Sequence, residues 1–216
     1  MTTGLWTPKQ IWKGEDAYLI GGGSSLLKYD FDQLKGRNTI GANSAYILGS
    51  EIVKIVVFGD TKFFHHHKWN LERFKGMVVS VQPTLTHLKN IAWLKKMTRE
   101  QHGLYSGPVV GWNYSTGAAA INLAVSLGAQ RIFLLGYDLC FGKNRRSHWH
   151  QHPSTVRDES FIRFTRGFKI VAGALRGTDI EIFNVTDGTS RLDVFPKISF
   201  DKMERMAHEK SELAMA

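Results

Sequence analysis

Residues 142–158 are dense in side chains that can do chemistry: Lys143, Asn144, Arg145, Arg146, His148, Trp149, His150 and His152. Alternate residues of an extended chain point the same way, so His148, His150 and His152 can present three imidazoles on one side. Three imidazoles also suit zinc. We favour an acid–base role for one of them, because imidazole changes charge near neutral pH. A second group, His65, His66 and His67, is consecutive. Neighbouring residues do not share a helix face, so one of the three can turn inward.

The other polar residues of interest each follow an apolar run. Residues 17–20 run into Gly21, Gly22, Gly23, Ser24 and Ser25. A strand, a glycine turn and a helix start can cradle a phosphate, with Ser24 or Ser25 as N-cap; a tight turn needing positive φ is the competing reading. Leu26 stands where a dinucleotide fingerprint needs glycine, and no Gly-Lys-Ser/Thr follows as in a P-loop. Residues 37–41 lead to Asn43, and residues 52–58 lead to Asp60. Parallel strands would set the glycine turn, Asn43 and Asp60 on one rim, although Asn and Asp also simply form turns.

The unit that positions these groups is residues 115–141. Residues 118–127 are small, apolar and helix-favouring, and Gly128 follows as a C-terminal stop. Residues 131–135, RIFLL, read as a buried strand ending at Gly136, with Asp138 beyond it. Ser115 or Thr116 can cap the helix, and with Gly117 its first turn offers backbone donors. Further strands are expected at 77–81 and 181–185, and helices at 89–98, 161–175 and 201–215; residues 2–13 read as an arm packed on the body. The pattern predicts an α/β fold: a Rossmann-like three-layer sandwich with a mostly parallel sheet. Residues 1–216 are expected to form one domain, with insertions at 82–108 and 142–158 over the site. Ligands in such sheets bind outside the carboxyl ends of the strands.

The single cysteine, Cys140, excludes a disulfide framework within the chain and a cysteine-based zinc site. There is no apolar leader and no run near the ~18 residues of a membrane span, so the expected setting is a reducing cytoplasm. A net charge of +9 favours phosphate-bearing or acidic partners. The basic residues are scattered apart from 143–146, so nucleic acid is an unlikely partner, and a homo-oligomer is left open.

The succession GGGSSL, Asn43, Asp60, STGAAAINLAVSLGAQRIFLLGYD, a histidine loop and NVTDGTSRLDVFPKI resembles a phage- and bacteria-associated domain related to archaeal 6-hydroxymethylpterin diphosphokinases. More distantly it resembles the small bacterial CMP-sialic-acid-dependent sialyltransferases. The resemblance covers roughly residues 17–198. The sialyltransferase side implies nucleotide contacts from Gly21, Gly23, Ser24, Asn43, Ser115, Thr116, Gly117 and Asp138; Gly22, within the same turn, and Asp60, at a strand end, join the nucleotide-binding candidates by position. It also implies a histidine general base, with His152 favoured over His148 and His150 for its position nearest the next helix. Family tyrosines that steady the leaving phosphate have no counterpart pair here, so Arg145, Arg146 or His150 would substitute. No cofactor is then required. The diphosphokinase side implies a magnesium-dependent diphosphokinase or nucleotidyltransferase, with Asp60 and Asp138 holding the metal. A third reading is a non-catalytic phage accessory protein that keeps a nucleotide-binding fold.

Overall fold

The computed structural model describes residues 4–88, 91–152 and 156–215. Its centre is an eight-stranded sheet in the order β10-β9-β8-β1-β2-β3-β4-β5, parallel throughout. In chain order the strands are β1 Asp16–Ile20, β2 Thr39–Ala42, β3 Ile55–Phe58, β4 Met77–Ser80, β5 Leu94–Lys96, β8 Arg131–Leu135, β9 Glu181–Val185 and β10 Lys197–Ile198. A separate pair, β6 Thr98–Glu100 and β7 Val109–Gly111, is also parallel.

The strands read as unbroken apolar runs because both sheet faces are covered. In β1, Ala17 and Leu19 enter one core while Tyr18 and Ile20 enter the other. Helix α2 (Thr116–Ser126) and α3 (Asp158–Ala174) cover the first face; α1 (Thr61–Arg73), α4 (Phe200–Met215) and several short 3-10 turns cover the second. This is the expected three-layer α/β arrangement. Helix α2 is buried on almost every side, from Ala118 to Ala124, which is why its residues are small and its apolar pattern lacks a polar face. Ser115 Oγ accepts the Ala118 N–H (3.1 Å), and Gly128, at φ +93°, ends the helix where a side chain would be strained. The amino-terminal arm docks as expected: Trp6 and Trp12 donate their N–H groups to the carbonyls of Lys96 and Leu127.

The helix expected over 89–98 is not formed; residues 89 and 90 lie outside the described residues, and Leu94–Lys96 is a strand. Leu94 and Met97 are buried, and β5 completes the sheet beside β4, so pairing overrides local helix preference. At the opposite end of the sheet from the strand tips, Arg131 binds Asp16 through two hydrogen bonds (3.0 and 2.5 Å) and Lys210 reaches the same carboxylate. These contacts tie the last helix to the sheet.

Strands β1 to β5 run outward on one side of β1, and β8 to β10 on the other. The direction of winding therefore reverses between β1 and β8, a crevice of the kind that holds ligands in open α/β sheets.

Candidate functional site

The glycine turn leaves β1 at this crevice. Gly21 N–H donates to the Leu135 carbonyl and Gly23 N–H to the Gly136 carbonyl (both 2.8 Å), so two of the turn's donors already serve β8's tail. None of the three glycines has positive φ. Space explains them instead. A Cβ on Gly22 would lie 2.6 Å from the His148 ring, and one on Gly23 would lie 2.5 Å from the Asp138 carboxyl group. Neither serine caps the following 3-10 turn (Ser24–Lys28). Ser25 donates its N–H and Oγ–H to the two Asp138 oxygens (2.8 and 2.6 Å).

Asp138 is thus a latch between β8 and the glycine turn. It is only 4% exposed, and burial raises its pKa above the usual carboxylate range, with the Ser25 bonds opposing. Ser190 is buried, its hydroxyl accepting from the Asn184 amide and donating to the Asp138 carbonyl. Asp60 caps α1, accepting the Phe63 N–H (3.0 Å). Asp60 and Asp138 follow strands three places apart in the sheet, about 14 Å at the usual strand spacing. The two carboxylates do not converge, and residues present do not fit a magnesium ion bridged between them.

The histidine loop folds back over the strand tips. Trp149 donates its backbone N–H to the Gly22 carbonyl (3.0 Å) and its indole N–H to the Gly21 carbonyl (2.8 Å), while its ring rests on Phe31. With Trp149 turned down, the flanking imidazoles form a row. Ring centroids are 4.7 Å apart for His148–His150, 5.4 Å for His150–His152 and 5.0 Å for His152–His67. His67 is the member of the consecutive triplet that turns inward. Its Nδ1 pairs with Tyr46 Oη (2.9 Å), as His152 Nδ1 pairs with Ser44 Oγ (2.9 Å) and His148 Nδ1 with Ser147 Oγ (2.7 Å). Burial holds His148 and His67 below the usual imidazole pKa, and brings His150 down to about 4 with help from the neighbouring imidazoles. No group of three metal-ligating side chains is arranged to hold an ion among the described residues.

Asn43 stands next to Ser44, at φ 52°, with its Oδ1 buried and unpartnered among the described residues. Ser115 and Thr116 are buried at the start of α2. Gly117 leaves room for the Tyr137 ring, whose hydroxyl donates to the Gly117 carbonyl (3.3 Å). Arg145 pairs with Asp158 (3.2 Å) and covers Phe141; Arg146 donates to the His148 and Trp149 carbonyls, clamping its own loop. The structure therefore brings His148, His150 and His152 to Gly22 and Ser44. It leaves Arg145 and Arg146 exposed, paired with Asp158 and with their own loop, and it buries Asp138. Ser44, Tyr46 and His67 were missed as partners; only the position of Ser44 beside Asn43 and the triplet's inward member signalled them. One surface hollow lies between α3 and β9, and another lies beside Tyr46 near Arg73.

Among the described residues no helix is long and apolar enough to cross a membrane. No family model matches the chain, and no curated protein matches its sequence. The fold is similar to that of the sialyltransferase CstII from Campylobacter jejuni in complex with a substrate analogue, cytidine-5'-monophosphate, with a TM-score of 0.55 at 15% identity, covering 86% of this chain and 85% of that one. It is similar also to sialyltransferase CST-II in complex with trisaccharide acceptor and CMP, with a TM-score of 0.52 at 14% identity over 85% and 86% of the two chains. At these identities the likeness is one of fold, and the diphosphokinase resemblance gains no support from it.

Proposed function

We propose that the chain is a sialyltransferase-like glycosyltransferase, moving a sugar from a nucleotide-activated donor, a CMP-sugar, to an acceptor hydroxyl. The observation that carries this reading is the docking of the histidine loop on the glycine turn, which sets an imidazole row over the tips of β1 and β2. The similarity in fold to CMP-bound structures supports the same nucleotide class.

In this reading His152 is the general base. Its Nδ1 pairs with Ser44 Oγ at 2.9 Å; with the proton on Nδ1, the Nε2 lone pair takes the acceptor's proton. The acceptor oxygen attacks the anomeric carbon, the bond from that carbon to the phosphate oxygen breaks, and its electron pair stays on the departing CMP. Asn43 Oδ1 accepts from the nucleotide's amino or hydroxyl groups, and the first turn of α2 (Ser115, Thr116, Gly117) faces its negative charge. Residues 142–152 act as a cover over the site. Asp60 is the remaining rim carboxylate, for a ribose hydroxyl. No metal is assigned a role, because the two candidate carboxylates are held apart. The packing of His148 against Gly22 speaks against an accessory protein with an idle loop.

His152→Gln tests the assignment. Transfer from a CMP-sugar should fall by about 10²–10⁴-fold while CMP binding is kept. Full transfer activity in that variant would remove His152 as the base.

A further inference from the structure

Arg145 and Arg146, the cations named for the departing phosphate, are engaged in the structure with Asp158 and with their own loop. Another guanidinium stands at the rim. Arg99, in β6, stacks 4.0 Å over the Trp112 ring, and its Nη1 donates to the Gly59 carbonyl (2.9 Å). Gly59 follows β3 directly. A Cβ there would lie 2.2 Å from the Trp112 ring and 3.1 Å from Arg99 Nη1. The strand end is therefore pared to glycine so that ring and guanidinium can lie against it.

The same stack reaches α2. Ser115, the helix cap, donates its N–H to the Trp112 carbonyl (3.0 Å). Arg99 accordingly lies on the end of β3 and on Trp112, the residue whose carbonyl holds the cap of α2. A guanidinium carries five N–H donors, and one of them has a bonding partner among the described residues. Asp60 acts on it electrostatically, but that carboxylate caps α1, and no ion pair joins the two among the described residues. A half-buried cation held in a fixed plane, with most of its donors uncommitted, suits a group that brings its own negative oxygens.

We propose that Arg99 is a catalytic residue that binds the phosphate of the leaving nucleotide; this rests on the transferase reading given above. As the anomeric carbon–oxygen bond breaks, the electron pair moves onto the phosphate oxygen and the acceptor's proton moves to His152. The phosphate gains one negative charge, and the free Arg99 N–H groups donate to it as that charge grows. Trp112 fixes the plane of the fork, and Gly59 permits the stack.

Calorimetric titration of CMP and of cytidine, which lacks the phosphate, separates this role from a merely structural one. The wild-type protein should prefer CMP by about 10–100-fold, the range of charge-assisted hydrogen bonds. Arg99→Gln should erase most of that preference and leave cytidine affinity unchanged; Arg99→Lys, which keeps the charge and loses the fork, should retain part of it. If Arg99→Gln does not fold, the lysine variant decides, and an undiminished preference there overturns the proposal. A wild-type preference that survives in Arg99→Gln overturns the role of Arg99 and leaves the transferase reading standing. A wild-type protein that binds neither ligand overturns both.

Discussion

The two adjacent glycines Gly22 and Gly23 should respond to alanine differently, one chiefly in stability and the other chiefly in transfer. Neither has positive φ, so the backbone accepts alanine, and loss of unfolded-state freedom alone would stabilise by about 0.4–1 kcal/mol. Sterics decide the outcome. At Gly23 the new methyl would sit 2.5 Å from the Asp138 carboxyl and 2.6 Å from the Gly136 carbonyl oxygen. That carbonyl belongs to a fixed turn, with Gly136 at φ +71° and already bonded by the Gly23 N–H at 2.8 Å. Relief requires displacing Asp138 and its two bonds from Ser25. Overpacking of about 1–3 kcal/mol, plus loss of one charge-assisted bond of about 1.5–3 kcal/mol, gives about 4 kcal/mol. For a chain of this size that lowers the melting temperature by about 8–15 °C. At Gly22 the methyl would meet the His148 ring at 2.6 Å, the tip of a side chain on a loop that can lift. Lifting sacrifices the two Trp149 hydrogen bonds, about 2 kcal/mol at most. Gly22→Ala should therefore melt within about 6 °C of wild type yet lose CMP-sugar transfer. Thermal melts followed by circular dichroism, with a transfer assay beside them, read both. The reasoning is refuted if Gly23→Ala is as stable as wild type, or if Gly22→Ala transfers sugar normally.

Other outcomes follow from the same contacts. Asp138→Asn keeps two acceptor or donor partners for Ser25 and removes a charge that burial disfavours, so its stability should stay within about 1 kcal/mol of wild type, whereas Asp138→Ala should cost about 2–4 kcal/mol in urea titrations. Because the folded pKa of Asp138 is raised, its ionisation lowers stability as pH rises from its unfolded to its folded pKa, and the asparagine variant should lose that pH dependence. His150 behaves in the opposite sense: its folded pKa of about 4 lies below the unfolded value of about 6.5. The stability it lends the docked loop is complete above the unfolded value and drains as pH falls towards about 4, so amide exchange at residues 147–152 should accelerate in that window, and less so in His150→Phe. Ser44→Ala should lower the rate of transfer by frees rotation of the His152 ring while leaving CMP affinity near wild type, which steady-state kinetics beside calorimetry would check.

Much of this arrangement was legible in residue order. Apolar runs bounded by glycine located β1, β3, β8 and α2, because strands buried on both faces and a helix buried all round leave an unmistakable apolar signal. Alternation of His148, His150 and His152 about Trp149 carried the row itself. What could not be read was which polar groups spend themselves on one another. Asp138 looks the same in sequence whether it faces a ligand or Ser25, 113 residues away. Arg145 and Arg146 look free until the fold offers the first the Asp158 carboxylate and the second two loop carbonyls. The stretch around residues 89–98 has helical composition, but the free edge of β4 claims Leu94–Lys96 as a strand. Long-range pairing and partner choice, not local preference, account for these differences.

The central claim is that the strand tips under the imidazole row hold a CMP moiety without a metal. Calorimetric titration of the wild-type protein with CMP, once with magnesium and once with EDTA, tests it most directly, with ATP as the comparison ligand. The account predicts CMP binding of equal affinity in both conditions and weaker binding of ATP. Absence of CMP binding, or binding of ATP that requires magnesium, would contradict it.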